Sequence, residues 1–177
     1  MVEVKWLKMK DTAQIPRFAH DGDAGFDLAA AEDAIIYPFQ KKLVGTGLKV
    51  ELPRGYELQI RPRSGLSLKT GLSVANSPGT IDSTYRGEVG IILYHAPLLH
   101  YNGLWSFVAA LLKAVRTPLV IRKGDRIAQG VISALPVLAF REAAEEELTT
   151  TPRGGGAYGS TGTQAHVRGE TTVSTPE

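Results

Sequence analysis

Three short stretches of the sequence combine residue types that could bind and cleave a phosphorylated molecule. The first, RPRSG at 61–65, sets an arginine beside a serine and a glycine. A guanidinium offers a planar fork of donors to a phosphate, a hydroxyl adds another donor, and glycine lets backbone N–H groups approach closely. Taken alone, such a stretch is more often an exposed turn with surface arginines. RPRSG is therefore a phosphate-binding candidate that needs support from elsewhere in the chain.

The second stretch, RGGGAYGSTG at 153–162, has a similar composition near the end of the chain. Arg153 carries charge, Ser160 and Thr161 carry hydroxyls, and the glycines expose backbone donors. The ring of Tyr158 could stack on a nucleic-acid base, a contact worth about 1–3 kcal/mol. The alternative is a linker without function, which accounts for the glycines but leaves the arginine and the tyrosine unexplained.

The third stretch is GTIDSTYRGEVG at 79–90, with an acid, a phenol and an arginine between glycines. A carboxylate at Asp82 could orient and deprotonate a water beside a phosphate neutralised by Mg²⁺. The alternative is an Asx-turn that caps a hairpin, with Tyr85 as an ordinary cross-strand aromatic residue. We interpret 79–90 as a hairpin whose turn presents both side chains.

Composition excludes several other chemistries. The chain has no cysteine, so disulfides, thiolate catalysis and thiolate metal sites are ruled out. Its four histidines are scattered without metal-ligand spacing. The segment GLSLKT at 65–70 lacks the spacing of a phosphate-binding Walker loop, and no nucleophile elbow is present. A formal net charge of +2 over 177 residues argues against nucleic acid as a partner.

The elements that must position these stretches are short strands. In LKVELPRGYELQI at 48–60, apolar and polar residues alternate on both sides of a turn, which is the period of a half-buried strand. The segments 89–94, 119–122 and 126–133 are rich in β-branched residues and predict further strands. The first ten residues also alternate, without the apolar run of a signal peptide, so we expect a strand and a cytoplasmic, intracellular protein. Frequent turn signals favour an all-β sandwich or barrel.

Two segments depart from the strand pattern. In 96–118, apolar residues recur at helical spacing after Asn102, which could cap a helix that begins at Gly103. Its apolar run over Leu104–Val115 is shorter than the about 20 residues that span a bilayer, so no membrane partner is expected. The helix either covers its own barrel or forms a docking surface for a protein partner. From about Thr149 the chain is poor in aliphatic residues, which predicts a mobile arm. We therefore expect a single core over 1–150, which includes 96–118, and an arm over 151–177.

Taken in order, these pieces resemble the trimeric all-β dUTP pyrophosphatases, or dUTPases. The family carries five short motifs, and each has a counterpart here. They are AGFDLAA at 24–30, PRSGLS at 62–67, NSPGTIDSTYRGEVG at 76–90, GDRIAQ at 124–129 and RGGGAYGSTG at 153–162. The resemblance implies a distorted jelly-roll-like β-barrel that forms a homotrimer, with each active site drawing motifs from all three chains.

The same resemblance implies hydrolysis of dUTP to dUMP and pyrophosphate, which limits uracil incorporation into DNA and supplies dUMP. Asp82 matches the aspartate that activates the water attacking the α-phosphorus. Tyr85 matches the tyrosine that leaves no room for a 2′-hydroxyl, and Asp27 matches a supporting aspartate near the phosphates. Mg²⁺ is expected on triphosphate oxygens, without direct protein ligands. The remaining positions that match substrate-binding residues are Arg63, Ser64, Gly65, Asn76, Gly79, Thr80, Ile81, Gln129, Arg153, Gly156, Tyr158, Gly159, Ser160 and Thr161.

The chain departs from the family pattern in three places. Ala157 and Tyr158 stand where the fifth motif usually has glycine and phenylalanine. The segment 96–118 is much longer than the usual connection between the third and fourth motifs, although some phage members carry extra residues there. The tail also runs past the fifth motif to residue 177. Two alternatives stay open: an enzyme related to dCTP deaminase, and a nucleotide-gated interaction protein that uses 96–118 on a dUTPase scaffold.

Overall fold

A computed structural model describes residues 2–97 and 104–156 of the chain. Strands dominate this part of the molecule, and helices are few and short. The strands are β1 (Lys5–Lys8), β2 (Phe26–Ala29), β3 (Ala34–Ile36), β4 (Lys41–Glu51), β5 (Tyr56–Arg61), β6 (Leu72–Val74), β7 (Gly79–Asp82), β8 (Glu88–His95), β9 (Leu119–Ile121) and β10 (Arg126–Ala134). The helices are α1 (Ser64–Thr70), α2 (Leu104–Ala114) and a 3₁₀ turn at Glu145–Glu147. The all-β prediction is confirmed.

The strands form two four-stranded sheets and a two-stranded ribbon. One sheet has the order β1-β4-β8-β6, the other has the order β2-β10-β5-β7, and the ribbon pairs β3 with β9. Neighbours within each sheet run antiparallel. The strand predictions over 48–60, 89–94, 119–122 and 126–133 are confirmed, and the N-terminal strand is present in a shorter form.

Alternation along the strands places one side of each sheet in a common core. On β5, Leu58 and Ile60 are buried, whereas the intervening Gln59 is only half-buried. On β8, Val89, Ile91 and Leu93 are buried by the same period of two. All of these belong to one hydrophobic cluster that draws on both sheets and on the ribbon. Burial of this kind is what holds the two sheets against each other.

The hairpin interpretation of 79–90 is wrong. Strand β7 pairs with β5 in one sheet, while β8 pairs with β4 and β6 in the other. Residues 83–87 therefore carry the chain from sheet to sheet rather than between paired neighbours. The backbone N–H of Tyr85 donates to the carbonyl of Asp82 at 3.0 Å, so the turn itself is present. Turn chemistry was readable from the sequence, but it does not determine which strands pair across it.

Helix α1 was not expected from the sequence. It begins at Ser64, directly after Arg63, and buries none of its side chains. Gly71 follows its last residue and adopts a left-handed conformation with φ of 71°. A helix this short and exposed has no apolar stripe, so periodicity does not reveal it. The glycine at its end was the available signal, because a left-handed residue commonly terminates a helix.

Helix α2 confirms the helical prediction within 96–118, but not the expected burial. The proposed cap at Asn102 lies outside the described residues. Leu104 and Trp105 are 73% and 84% exposed, and Val108, Leu112 and Val115 are also exposed. Of the two alternatives for this helix, coverage by its own barrel is wrong for these five side chains, whereas Phe107 and Leu111 are half-buried. In the described part of the chain, no helix is long and apolar enough to cross a membrane.

The chain divides into two compact units, Met1–Val137 and Leu138–Glu177. All of the strands lie in the first unit. The described part of the second is mostly irregular, with the 3₁₀ turn at Glu145–Glu147 and an ion pair between Arg141 and Glu147. A core over 1–150 followed by an arm over 151–177 stays a prediction.

Candidate functional site

A cleft of about 660 Å³ brings together residues of three of the five motifs, at 24–30, 62–67 and 124–129. Asp27 comes from β2, Arg63 and Ser64 come from the junction of β5 and α1, and Gln129 comes from β10. Gly65 also lines the cleft, in the first turn of α1. The antiparallel pairing of β10 with both β2 and β5 produces this meeting, because Gln129 lies opposite Asp27 on one side and Arg61 on the other.

Asp27 sits between two arginines. Its Oδ1 atom lies 2.7 Å from Nε of Arg63, and its Oδ2 atom lies 3.1 Å from Nη1 of Arg126. The Asp27 carboxylate is 27% exposed, so these contacts are only partly screened by solvent. Both of its oxygens are engaged. Asp27 therefore holds two guanidinium groups in place, and its supporting role near the phosphates stays a prediction.

Arg63 keeps donors available to the cleft. Its Nε donates to Asp27, and its Nη1 donates to the backbone carbonyl of Arg126 at 3.0 Å. A guanidinium has five N–H groups in a fixed fork, so these contacts orient it without exhausting it. The free side of the fork is suited to a bidentate contact with a phosphate.

Gln129 fixes the backbone that leads into Arg63. Its Nε2 donates to the carbonyl of Pro62 at 2.8 Å. A Cβ on Gly25 would lie only 2.8 Å from Oε1 of Gln129, so the absence of a side chain at residue 25 gives the amide its space. Gln129 thus lines the cleft and also holds the backbone next to Arg63, a candidate phosphate-binding residue.

Two cationic residues of the site were missed in the sequence. Arg126 lies within GDRIAQ, three positions before Gln129, and its charge was the only signal for its contact with Asp27. Lys69, near the end of α1, lines the cleft with Arg63. Nothing in the sequence placed it beside Arg63, because the helix over 64–70 was not predicted.

The other predicted group lies on and around β7. Gly79, Thr80, Ile81 and Asp82 form that strand, and Asn76 precedes it. Asp82 is exposed, and Tyr85 follows it in the turn with 42% of its surface exposed. A Cβ on Gly79 would lie 3.1 Å from Nδ2 of Asn76, so the two residues are tightly apposed. This arrangement offers backbone groups, a carboxylate and a phenol along one short segment.

Within one chain, the cleft around Asp27 and the residues on and around β7 are far apart. Strand β2 and strand β7 are the opposite edges of their sheet, so three strand spacings, about 14 Å, separate the two strands across the sheet. Asp82 lies opposite Glu57, and Glu57 lies opposite Ser133, which is offset along β10 from Gln129 by about 13 Å. Sheet geometry therefore places Asp82 about 20 Å from the cleft around Asp27.

The glycine-rich stretch is described only in its first part. The Nε of Arg153 donates to the carbonyl of Gly156 at 2.9 Å, and the N–H of Gly156 donates back to the carbonyl of Arg153 at 3.0 Å. Tyr158, Gly159, Ser160 and Thr161, together with Ala157, lie outside the described residues. Their predicted contacts with substrate stay predictions.

A metal held directly by the protein has no cluster of ligands in the described residues. In that part of the chain no three histidine, cysteine, aspartate or glutamate side chains converge as a metal site would require. Two carboxylates line the cleft. Asp27 has both oxygens on arginines, and Asp23 accepts a hydrogen bond from the backbone N–H of His20. This donor set fits a cation that arrives on phosphate oxygens better than one held in a protein cage.

Comparison with known proteins gives a consistent match. The family model described as dUTPase matches residues 11–97. The deoxyuridine 5′-triphosphate nucleotidohydrolase of Wolinella succinogenes is 45% identical over 91% of this chain and 95% of its own length. The structure of a Staphylococcus bacteriophage 80alpha dUTPase mutant with dUpNHpp has a TM-score of 0.73, 26% identity, and covers 91% of this chain and 99% of that one. The dUTPase of phage phi11 of S. aureus has a TM-score of 0.68 and 26% identity, with 82% of this chain and 99% of that one covered.

Proposed function

Because this chain belongs to the dUTPase family and is a dUTP diphosphatase, we propose that Asp82 activates the water that attacks the α-phosphorus of dUTP. The water oxygen forms a bond to phosphorus, and the bond from that phosphorus to the bridging oxygen of the β-phosphate breaks. Asp82 accepts the proton, dUMP is released, and pyrophosphate leaves with the electron pair of the broken bond. The observation that carries dUTP hydrolysis is the cleft in which Asp27, Arg63, Ser64 and Gln129 converge from separate stretches to bind the phosphates. The role of Asp82 rests on its match to the third motif of the family.

The cleft supports binding of the β- and γ-phosphates. The free donors of Arg63, the hydroxyl of Ser64 and the backbone at Gly65 face a space wide enough for a polyphosphate. Developing charge on the leaving pyrophosphate would be stabilised by these preset donors, which is where phosphoryl-transfer enzymes gain most of their rate. Mg²⁺, when bound on the triphosphate oxygens, supplies further charge neutralisation there. The phi11 dUTPase structure, which shows a structural Mg(II) ion, supports magnesium use in this fold.

Separation of the two groups supports a homotrimer with shared sites. About 20 Å between Asp82 and the cleft of the same chain is too far for both to act on neighbouring phosphates of one triphosphate. A second chain that brings its β7 segment to the cleft would complete the site. Asn76, Gly79, Thr80 and Ile81 would then border uracil, and Tyr85 the deoxyribose. Arg153, Gly156 and the stretch after it would come from the arm and close over the nucleotide.

The experiment that tests this function is pyrophosphate release from dUTP, dTTP, dCTP and UTP with Mg²⁺. We expect turnover of dUTP alone, because Tyr85 would exclude ribonucleotides and backbone groups near β7 would select uracil. Ammonia release from dCTP would instead favour the enzyme related to dCTP deaminase. Comparable turnover of all four nucleotides would contradict the proposed selection by the β7 segment.

Loss of the Asp27 charge should impair substrate binding more than stability. In Asp27→Asn the arginines at 63 and 126 lose the carboxylate between them, so Arg63 is no longer oriented toward phosphate. We expect KM for dUTP to rise by about tenfold or more, which corresponds to one lost charge-assisted contact. Steady-state kinetics on dUTP measures the change.

Asp33→Asn is the matched control for that variant. The backbone N–H of Lys123 and the guanidinium of Arg122 lower the pKa of the Asp33 carboxyl, so this residue also loses a charge held by cationic partners. Asp33 does not line the cleft. If Asp33→Asn raised KM as much as Asp27→Asn, the effect would be a general consequence of removing surface charge.

The exposed face of α2 supports a second role as a protein-docking surface. Leu104, Trp105, Val108, Leu112 and Val115 present apolar surface to solvent, and the whole of 96–118 contains Lys113 and Arg116 but no acidic residue. A partner with an apolar groove and an acidic rim would complement this face. The phi11 dUTPase carries a species-specific insert, and the 80alpha enzyme controls transfer of virulence genes by a proto-oncogenic G protein-like mechanism. These neighbours support a regulatory role for such a scaffold.

Removing this apolar face should leave catalysis intact. In a variant with serine at 104, 105 and 112, we expect kcat/KM for dUTP within about twofold of wild type, because surface substitutions away from a site rarely perturb it. Affinity capture is then carried out with the wild-type protein and with the serine variant, each with and without the nucleotide dUpNHpp, to identify the partner. A protein retained by wild type alone, in a nucleotide-dependent manner, agrees with the docking role. Identical capture by both proteins contradicts it.

A further inference from the structure

The turn between β7 and β8 holds the ring of Tyr85 in a fixed place. The backbone N–H of Tyr85 donates to the carbonyl of Asp82, and its hydroxyl donates to the carbonyl of Glu88, both at 3.0 Å. Tyr85 therefore connects the last residue of β7, through its backbone, to the first residue of β8, through its hydroxyl. A side chain tied at both the backbone and the phenol end has few positions left to it.

Gly87 provides the space in which this ring lies. A Cβ at residue 87 would overlap both the ring and the hydroxyl of Tyr85. The backbone at Gly87 is outside the left-handed region, so alanine is compatible with its conformation and only the overlap opposes it. The lack of a side chain at 87 therefore serves the ring of Tyr85 rather than the path of the chain.

Glu88 and its neighbour fix the acceptor end of this contact. The Oε1 atom of Glu88 accepts a hydrogen bond from the backbone N–H of Gly47 at 2.7 Å, and Val89 accepts one from the buried hydroxyl of Thr46 at 2.7 Å. Gly45 leaves room for the carboxylate, since a Cβ there would overlap it. The register of β4 against β8 shifts in this region. The start of β8 is thus joined to β4 by two side-chain contacts, and the carbonyl that Tyr85 uses is held with it.

We infer that Gly87 and Glu88 are positioning residues that fix the Tyr85 ring and thereby set discrimination between deoxyribose and ribose. The inference rests on the proposed role of Tyr85 at the sugar. A hydroxyl is poorly rejected by weak attraction alone, so exclusion depends on a ring that cannot move away. A ring free to rotate would admit the 2′-hydroxyl even though the tyrosine is still present.

The test is the ratio of kcat/KM for dUTP to that for UTP in Gly87→Ala, Tyr85→Phe and Tyr85→Ala. Both kcat/KM values come from one preparation, so partial unfolding cancels from the ratio. We expect Gly87→Ala to lower the ratio by about tenfold or more, as Tyr85→Ala does, with Tyr85→Phe in between because its ring still fits beside Gly87. Gly90→Ala is the matched control, since the atoms nearest to its Cβ belong to the exposed side chain of Leu43, and the ratio should not change.

A second pair of variants separates positioning from a general loss of structure. Glu88→Gln keeps an oxygen that can accept from Gly47 and should retain the wild-type ratio, whereas Glu88→Ala should lower it. An unchanged ratio in both Gly87→Ala and Glu88→Ala overturns the inference. If Tyr85→Ala also leaves the ratio unchanged, the proposed role of Tyr85 fails with it. If Tyr85→Ala alone lowers the ratio, that role stands and only the positioning by Gly87 and Glu88 is wrong.

Discussion

Asp82→Asn should lower kcat for dUTP by about 10²- to 10⁴-fold while leaving nucleotide affinity within about threefold. The first figure is what a positioned general base typically contributes. Asparagine is nearly isosteric with aspartate, and the turn is held by the backbone carbonyl of residue 82, which the substitution keeps. The phosphate contacts around Arg63 are also unaffected. Rapid-quench kinetics measures kcat, and calorimetric titration with a non-hydrolysable dUTP analogue measures affinity.

Glu57→Gln is the control for that result. Glu57 lies directly opposite Asp82 on β5, so its substitution removes a negative charge from the adjacent position of the same sheet. Side chains at such paired positions lie about 5 Å apart, which makes the electrostatic change similar. We expect less than a tenfold effect on kcat. An equal loss in both variants, or near-normal turnover in Asp82→Asn, would contradict the assignment of Asp82 as the base.

Local patterns in the sequence were sufficient to locate the strands. The alternation of Leu58 and Ile60 with Glu57 and Gln59 predicts β5, and the structure buries the same two apolar residues. This works because a strand with one face on the core must repeat every two residues. Helix α2 was located in the same way from its longer period. What the pattern did not contain was the environment of that helix: an apolar face looks identical whether its own barrel or another molecule covers it.

Contacts between distant stretches could not be derived from spacing. Asp27, Arg63 and Arg126 are brought together by the order β2-β10-β5, which no local rule specifies. The resemblance to a family identified Asp27 and Arg63 by position, yet it did not assign Arg126. The pairing of β7 and β8 with different sheets was missed for a similar reason. A strand with alternating apolar residues fits into either sheet, so the sheet that it joins depends on the packing of the whole chain.

Removing the arm should separate catalysis from folding. A chain that stops before Thr151 retains every member of the hydrophobic cluster, since all of them precede the arm. We therefore expect a change in Tm of less than about 4 °C, the shift that about 1 kcal/mol produces in a domain of this size. Turnover of dUTP should fall by about 100-fold, because Arg153 and the glycine-rich stretch after it would no longer enclose the phosphates. Calorimetry and steady-state kinetics measure the two effects, and an unfolded truncated protein would show that the arm belongs to the core.

Mixing the two inactive proteins tests whether a site is shared between chains. The Asp82→Asn chain has an arm but no base, and the truncated chain has a base but no arm. Suppose that the base and the arm of one site come from different chains. A site is then active when its base comes from a truncated chain and its arm comes from an Asp82→Asn chain. Random assembly of equal amounts gives this combination in about a quarter of sites. Refolding the mixture should then recover about a quarter of wild-type turnover, whereas separately refolded proteins mixed afterwards should recover less. If each site is built from one chain, no mixture can contain both parts. The absence of any recovery would therefore contradict a site that takes its base and its arm from different chains, even with each single variant behaving as expected.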